Sequence, residues 1–175
     1  MKKYVLDLKV VSVEALSDKH VLIKLTDEKP LPEILPGQFV EVKVEHSPTT
    51  MLRRPISINY VDRENNQLWL LVAMVGDGTR QLGQLKAGDS LNCMLPLGNG
   101  FTMPSEKSQK FLLVGGGVGV APMLPIIKAL KAAGNRVLSV IAGRNKDLVI
   151  MEDEVRASSD ELIIMTDDGS YGEKG

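Results

Sequence analysis

The feature that most constrains the fold is a change of hydrophobic period at Phe111. Upstream of it, from Tyr4 to about Pro104, the sequence runs in short alternating stretches divided by turn residues. In residues 39–45, Val40, Val42 and Val44 point one way while Glu41, Lys43 and Glu45 point the other, as in a strand with one buried and one wet face. Residues 4–13, 21–25, 54–61, 68–75 and 90–95 read in the same way, with 54–61 and 68–75 joined as a hairpin across the polar 62–66 link. The spacing predicts an antiparallel barrel or sandwich. Residues 68–75 are apolar on both faces, so both sides of that strand need cover.

From Phe111 onward the pattern is different. Phe111-Leu112-Leu113-Val114 is a continuous apolar run, the pattern of a parallel strand buried on both faces. Glycines follow, then a helix over about 121–133 ended by Gly134. A strand at 136–142, a helix at 151–158 and a strand at 161–166 complete a β-α-β-α-β order, which predicts a parallel sheet. The expected domains are 1–104, a β barrel, and 108–175, the N-terminal part of an α/β nucleotide-binding domain.

With 175 residues, the chain can bury a core in each part. Its net charge of −1, with both signs mixed, gives no electrostatic case for nucleic acid or an anionic membrane. The longest apolar run, 126–133, is broken by Lys128 and Lys131, far short of the roughly 20 residues that span a bilayer. A single cysteine, Cys93, excludes an internal disulfide and any multi-cysteine metal site. It alternates with Leu91 and Leu95 and reads as a small buried hydrophobe. His20 and His46 have no partner at ligand spacing, and no metal site is expected. These features make a cytoplasmic location the default.

Three stretches carry chemistry. In Leu52-Arg53-Arg54-Pro55-Ile56-Ser57-Ile58-Asn59, Arg54 offers a planar fork suited to a diphosphate, Pro55 stiffens the backbone, and Ser57 can donate a hydrogen bond. Ile56 and Ile58 would face a core while Ser57 and Asn59 face a ligand. The same residues equally suit an edge strand protected by arginine and proline. Gly76-Asp77-Gly78-Thr79 leads into a short helix whose expected N-cap is Thr79, and its free amides favour an anion.

The third stretch is Gly115-Gly116-Gly117-Val118-Gly119-Val120-Ala121-Pro122. Four glycines in five positions remove side chains where a diphosphate would approach a helix start, and Pro122 suits a first helical turn. Proline stands where a third fingerprint glycine belongs, and no P-loop lysine follows. About twenty residues on, Arg144 could accept a 2′-phosphate and Asp147 could bind a ribose hydroxyl, which leaves NAD and NADP both open.

Arg54-Pro55-Ile56-Ser57, Gly78-Thr79, Pro96-Leu97-Gly98-Asn99-Gly100-Phe101, the glycine turn and Thr166-Asp167-Asp168-Gly169-Ser170-Tyr171-Gly172 occur together and in order. The combination resembles the ferredoxin-NADP reductase superfamily, and within it the electron-transfer subunits of type B dihydroorotate dehydrogenase. The resemblance implies a Greek-key barrel holding FAD and an α/β domain binding NAD. It implies FAD contacts from Arg54, Pro55, Ile56 and Ser57, flavin-lining backbone at Leu71, Val72 and Ala73, and phosphate contacts from Gly78 and Thr79. Gly115, Gly116, Gly117, Gly119 and Pro122 would hold NAD.

It further implies a partner, an FMN-containing catalytic subunit that oxidises dihydroorotate in pyrimidine synthesis, in a heterotetramer. Electrons would pass through a [2Fe-2S] cluster to FAD and on to NAD. No acid, base or nucleophile of this chain is then required, because the chemistry belongs to the cofactors. An NADPH-dependent ferredoxin or sulfide oxidoreductase subunit and a non-catalytic fragment are the alternatives. The family binds its cluster through four cysteines in its C-terminal part, whereas this sequence has Cys93 alone. The expectation is a fragment without the cluster segment and without part of the nucleotide domain.

Overall fold

The computed structural model describes residues 2–45 and 49–175. His46 lies outside them. The chain divides into two compact units, Met1–Gly100 and Phe101–Gly175.

The first unit is a closed antiparallel barrel of six strands: β1 (Tyr4–Ala15), β2 (His20–Thr26), β3 (Phe39–Val42), β4 (Arg54–Asp62), β5 (Gln67–Ala73) and β6 (Ser90–Leu97). Their order around the barrel is β1-β2-β5-β4-β3-β6, and β6 closes it by pairing with both β1 and β3. Val21, Ile23 and Leu25 of β2 meet Val72, Leu70 and Leu68 of β5 in register, and all six lie in the core. Leu22 and Leu71, paired on the opposite face, are equally buried. That meets the expectation that this strand is covered on both sides, except at its end, where Val75 is exposed. The 62–66 link is a hairpin turn in which Asp62 Oδ1 accepts from the amides of Glu64 and Asn65 at 3.1 Å.

Cys93 is fully buried in this core, and burial pushes its thiol up to about 12. A thiol reagent at pH 8 is therefore expected to leave the native protein unlabelled and to modify Cys93 only after unfolding, because the thiolate is the reactive form. Labelling of the native chain within minutes would contradict this placement.

His20 is 8% exposed, and its Nδ1 lies 2.9 Å from Ser17 Oγ. Burial holds its pKa below the usual value, with Asp18 pulling weakly the other way. The unfolded chain thus takes up this proton first, near the ordinary pKa of about 6.5. Urea stability should be flat above that pH as far as His20 is concerned and decline as the pH falls below it. In His20→Gln this part of the decline should vanish, and an unchanged pH profile would exclude His20 as its source.

The second unit has a parallel sheet in the order β10-β9-β8-β7, built from β7 (Lys110–Gly116), β8 (Arg136–Gly143), β9 (Glu161–Thr166) and β10 (Glu173–Lys174). The last strand, two residues long, was not legible in the sequence. A 3₁₀ turn (Gly117–Val120) and α2 (Met123–Ala132) connect β7 to β8, and α3 (Glu152–Ser158) connects β8 to β9; α1 (Asp77–Leu82) belongs to the barrel unit. The helices pack against each other on one face of the sheet, where Val137, Ser139, Ile141 and Ile164 are buried. The opposite face corrects the sequence reading. Leu112 and Val114 are 62% and 67% exposed, so β7 is half-buried on one face, at Phe111 and Leu113, and bare on the other.

Candidate functional site

Within the closed barrel, β4 and β5 are paired along only part of their length. Their ladder runs from Asp62↔Gln67 to Ile58↔Leu70 and stops there. Beyond that point Arg54, Pro55, Ile56 and Ser57 pair only with β3, while Leu71, Val72 and Ala73 pair only with β2. The two stretches singled out in the sequence therefore flank the gap where that ladder parts. Pro55, which has no N–H to give a ladder, sits in the half of β4 that pairs on one side only. Ile56 and Ile58 point into the core, and Ser57 is exposed. Asn59 departs from the expected alternation. A register shift between Ile58 and Tyr60 breaks the period of two, and Asn59 is fully buried.

After β5 comes α1 (Asp77–Leu82). Its N-cap is Gly76, not Thr79. Thr79 stands at the third helical position, where its hydroxyl accepts from the Gly76 amide and donates to the Gly76 carbonyl, both at 3.0 Å. The hydroxyl is thus committed to the cap. The first-turn amides, those of Gly78 and Thr79 among them, have no intrahelical acceptor. Asp77, in the same turn, is held by Arg80 at 3.3 Å and Thr49 at 3.4 Å.

Gly78 faces Arg54 and Thr50: a Cβ there would lie 3.2 Å from Arg54 Nε and 3.0 Å from Thr50 Cγ2. Glycine lets the guanidinium lie against the helix start. The two adjacent arginines have separate tasks. Arg53 Nη1 donates to the carbonyls of Glu41 and Asn92 at 3.2 Å, and Nη2 donates to Asn92 Oδ1. Asn92 in turn donates to Asp7 at 2.6 Å, so Arg53 fastens barrel strands together. Arg54 has no such engagement among the described residues, and its charge is available beside the gap.

In the second unit the glycines also differ. A Cβ at Gly115 would lie 2.4 Å from Met123 Sδ and 3.1 Å from the Gly119 carbonyl, so this glycine admits the helix. Gly116 is exposed, and a Cβ there would make only ordinary contact with Ala142 at 3.9 Å or more. Gly117, with φ +51°, and Gly119 face open space within 4 Å. The backbone between β7 and α2 is a 3₁₀ turn, and Pro122 is the N-cap of α2 instead of lying within its first turn. At the C-terminal end of β8, Arg144 and Asp147 are exposed. Asn145 Oδ1 beside them is buried and, among the described residues, accepts no hydrogen bond. It is a polar group that the sequence reading passed over.

Residues 166–172 form a self-satisfied turn. Thr166 Oγ1 donates to the Tyr171 carbonyl at 2.8 Å and accepts from the Tyr171 amide, and Asp168 accepts from Ser170. Those bonds from Ser170 hold the Asp168 carboxyl below its usual range. Residues 96–100 are tied to the barrel by Gln38, whose Nε2 donates to the Gly98 carbonyl at 3.0 Å.

A cluster held by four thiolates does not fit this chain, since its one cysteine is sealed in the barrel core. Among the described residues no helix is long and apolar enough to cross a membrane.

A closed six-stranded antiparallel barrel followed along the chain by a parallel sheet is the architecture of the FAD-binding barrel and nucleotide-binding domain of ferredoxin reductase-like proteins. In the structure titled as that of an NADH-dependent reduced ferredoxin-NADP oxidoreductase, a chain 35% identical in sequence superimposes with a TM-score of 0.81, over 96% of this chain and 59% of that one. Phthalate dioxygenase reductase gives 0.78 at 25% identity, over 94% of this chain and 52% of its own. By sequence the chain is a homologue of the electron transfer subunits of dihydroorotate dehydrogenase B (NAD(+)). It is 42% identical to the one from Streptococcus thermophilus over 170 residues, 97% of this chain and 65% of that protein. It thus spans just under two thirds of that relative's length. No family model matches the chain.

Proposed function

We propose that the chain is the FAD-carrying part of an electron transfer subunit that passes electrons from an FMN-containing, dihydroorotate-oxidising partner to NAD, in a step of pyrimidine biosynthesis. The observation that carries this reading is the parting of the β4–β5 ladder, with Arg54 of the parted half of β4 lying against Gly78. The names of its relatives support the partner and the acceptor.

FAD, when bound, supplies the ability to take up and release electrons singly or in pairs. The chain's own residues bind and orient it. Arg54 matches the diphosphate in charge and planar shape, and the amides of Gly78 and Thr79 add donors at the helix start. Ser57 and the backbone of Leu71, Val72 and Ala73 offer hydrogen-bonding groups from opposite sides of the gap to the edges of a flat ring. In the second unit, Gly117 and Gly119 leave room for a dinucleotide diphosphate, while Asn145, Arg144 and Asp147 stand where the adenosine ribose would be read. The heterotetramer and a cytoplasmic location belong to the same proposal, the latter supported by the absence of any possible internal disulfide.

The test is a visible absorption spectrum of the purified chain with mass spectrometry of any released chromophore. A flavin spectrum with FAD released is expected; a colourless chain that takes up no added FAD would overturn the proposal. A second reading, a subunit of an NADPH-dependent ferredoxin oxidoreductase, draws support from the 35% identity to the chain of that oxidoreductase structure. Assays with the respective partner subunits, one for orotate formation and one for ferredoxin reduction, separate the two.

A further inference from the structure

Two loops leave the carboxyl end of the parallel sheet side by side, and open α/β sheets bind their ligands at that end. Residues 144–147 follow β8 and hold the exposed Arg144 and Asp147. Residues 166–172 follow the body of β9 and form one of the sequence's distinctive motifs, yet neither the flavin nor the dinucleotide uses them in the function proposed above.

The second loop fastens the first. The Asp167 amide donates to the Gly143 carbonyl at 3.1 Å and the Asp168 amide to the Arg144 carbonyl at 3.2 Å. Farther along the turn, Ser170 Oγ accepts from the Lys146 amide at 2.9 Å. That amide opens the 3₁₀ turn Lys146–Leu148, whose N-cap residue, Asn145, makes no side-chain cap bond. An amide at a helix start has no partner within the helix and needs one from outside. Ser170 supplies it from 24 residues away. The Lys146 ammonium is held as well, lying 5.3 Å from the centre of the Tyr171 ring. The Tyr171 hydroxyl in turn donates to Glu152 Oε1 at 3.0 Å, in the first turn of α3.

The fastening loop is itself fixed. Thr166, 1% exposed, bridges the amide and carbonyl of Tyr171 through its hydroxyl. Gly172 has φ +67°, and a Cβ there would lie 2.2 Å from the Ile164 carbonyl, so the turn closes on glycine alone.

We propose that Ser170 is a positioning residue for the dinucleotide. By capping the Lys146 amide it fixes residues 144–147 in the conformation that presents Arg144 and Asp147 to the adenosine ribose. A loop ordered before its ligand arrives spares the complex the entropy of ordering it, and the gain appears as affinity. The inference rests on the dinucleotide reading of the second unit.

The test is calorimetric titration of the full chain with NAD, beside amide exchange at Lys146 without the nucleotide. Ser170→Ala is expected to raise the Kd for NAD about three- to tenfold, the scale of one neutral hydrogen bond, and to speed exchange at Lys146 by about the same factor. Ser170→Thr keeps the hydroxyl and is expected to restore both. Unchanged NAD affinity in Ser170→Ala would overturn this inference alone, as would a loss that Ser170→Thr does not restore or one without faster exchange at Lys146. A parent chain that binds no NAD would overturn the dinucleotide reading, and this inference with it.

Discussion

Arg54→Ala is expected to weaken FAD binding by about 1.5–3 kcal/mol, the scale of a lost hydrogen bond to a charged group. That is roughly a ten- to 150-fold rise in Kd. The side chain lies against Gly78 at the start of α1 and is engaged by no described residue, so its removal should take away affinity and little stability. Arg53→Ala is the informative contrast. It breaks ties to the Glu41 and Asn92 carbonyls and strands the Asn92–Asp7 pair, so it should lower the urea midpoint of the barrel more than it lowers FAD affinity. Fluorescence titration of the apoprotein with FAD, beside urea unfolding of each variant, reads both quantities. If Arg54→Ala binds FAD as tightly as the parent, the diphosphate lies elsewhere.

The second large effect separates two glycines that look alike in the sequence. Gly115→Val drives a side chain into Met123 Sδ and the Gly119 carbonyl, and overpacking of this kind costs about 1–3 kcal/mol. Urea unfolding of the second unit should shift accordingly. At Gly119 an added Cβ meets nothing within 4 Å, so in Gly119→Val stability should stay within about 0.5 kcal/mol of the parent. Its isopropyl group would nevertheless occupy the space left for a dinucleotide, and NAD binding should be lost. Retained NAD affinity in Gly119→Val would remove the turn from the binding site.

The barrel was legible because period-two alternation is a direct record of which face is wet. Val40, Val42 and Val44 are buried as that pattern predicts. The parallel sheet of the second unit followed from the β-α-β-α-β order and the change of period at Phe111. What the sequence withheld depends on atoms distant in the chain. Nothing local distinguishes Arg53 from Arg54, because the choice is made by Asn92, 39 residues away. The inward swing of Asn59 comes from a bulge, a mismatch between two strands that neither strand encodes alone. Thr79 and Gly76 exchanged capping roles because a threonine three residues into a helix can satisfy the same groups as one at its start. The misreading of Leu112 and Val114 has another origin. An apolar run states that a residue should be covered, not that the covering element is present.

Closure of the barrel ties Tyr4–Lys9 to Ser90–Leu95 across almost the entire first unit. During synthesis, β1 thus has no partner on that side until β6 has left the ribosome. No shorter nascent chain can complete the ring, and the unpaired edges of β1 and β3 stay open to foreign strands for the same interval. Long-range pairing of this kind folds slowly, since the loop must close before the contacts repay it. The order of events is therefore fixed by the exit tunnel, and the ring shuts last.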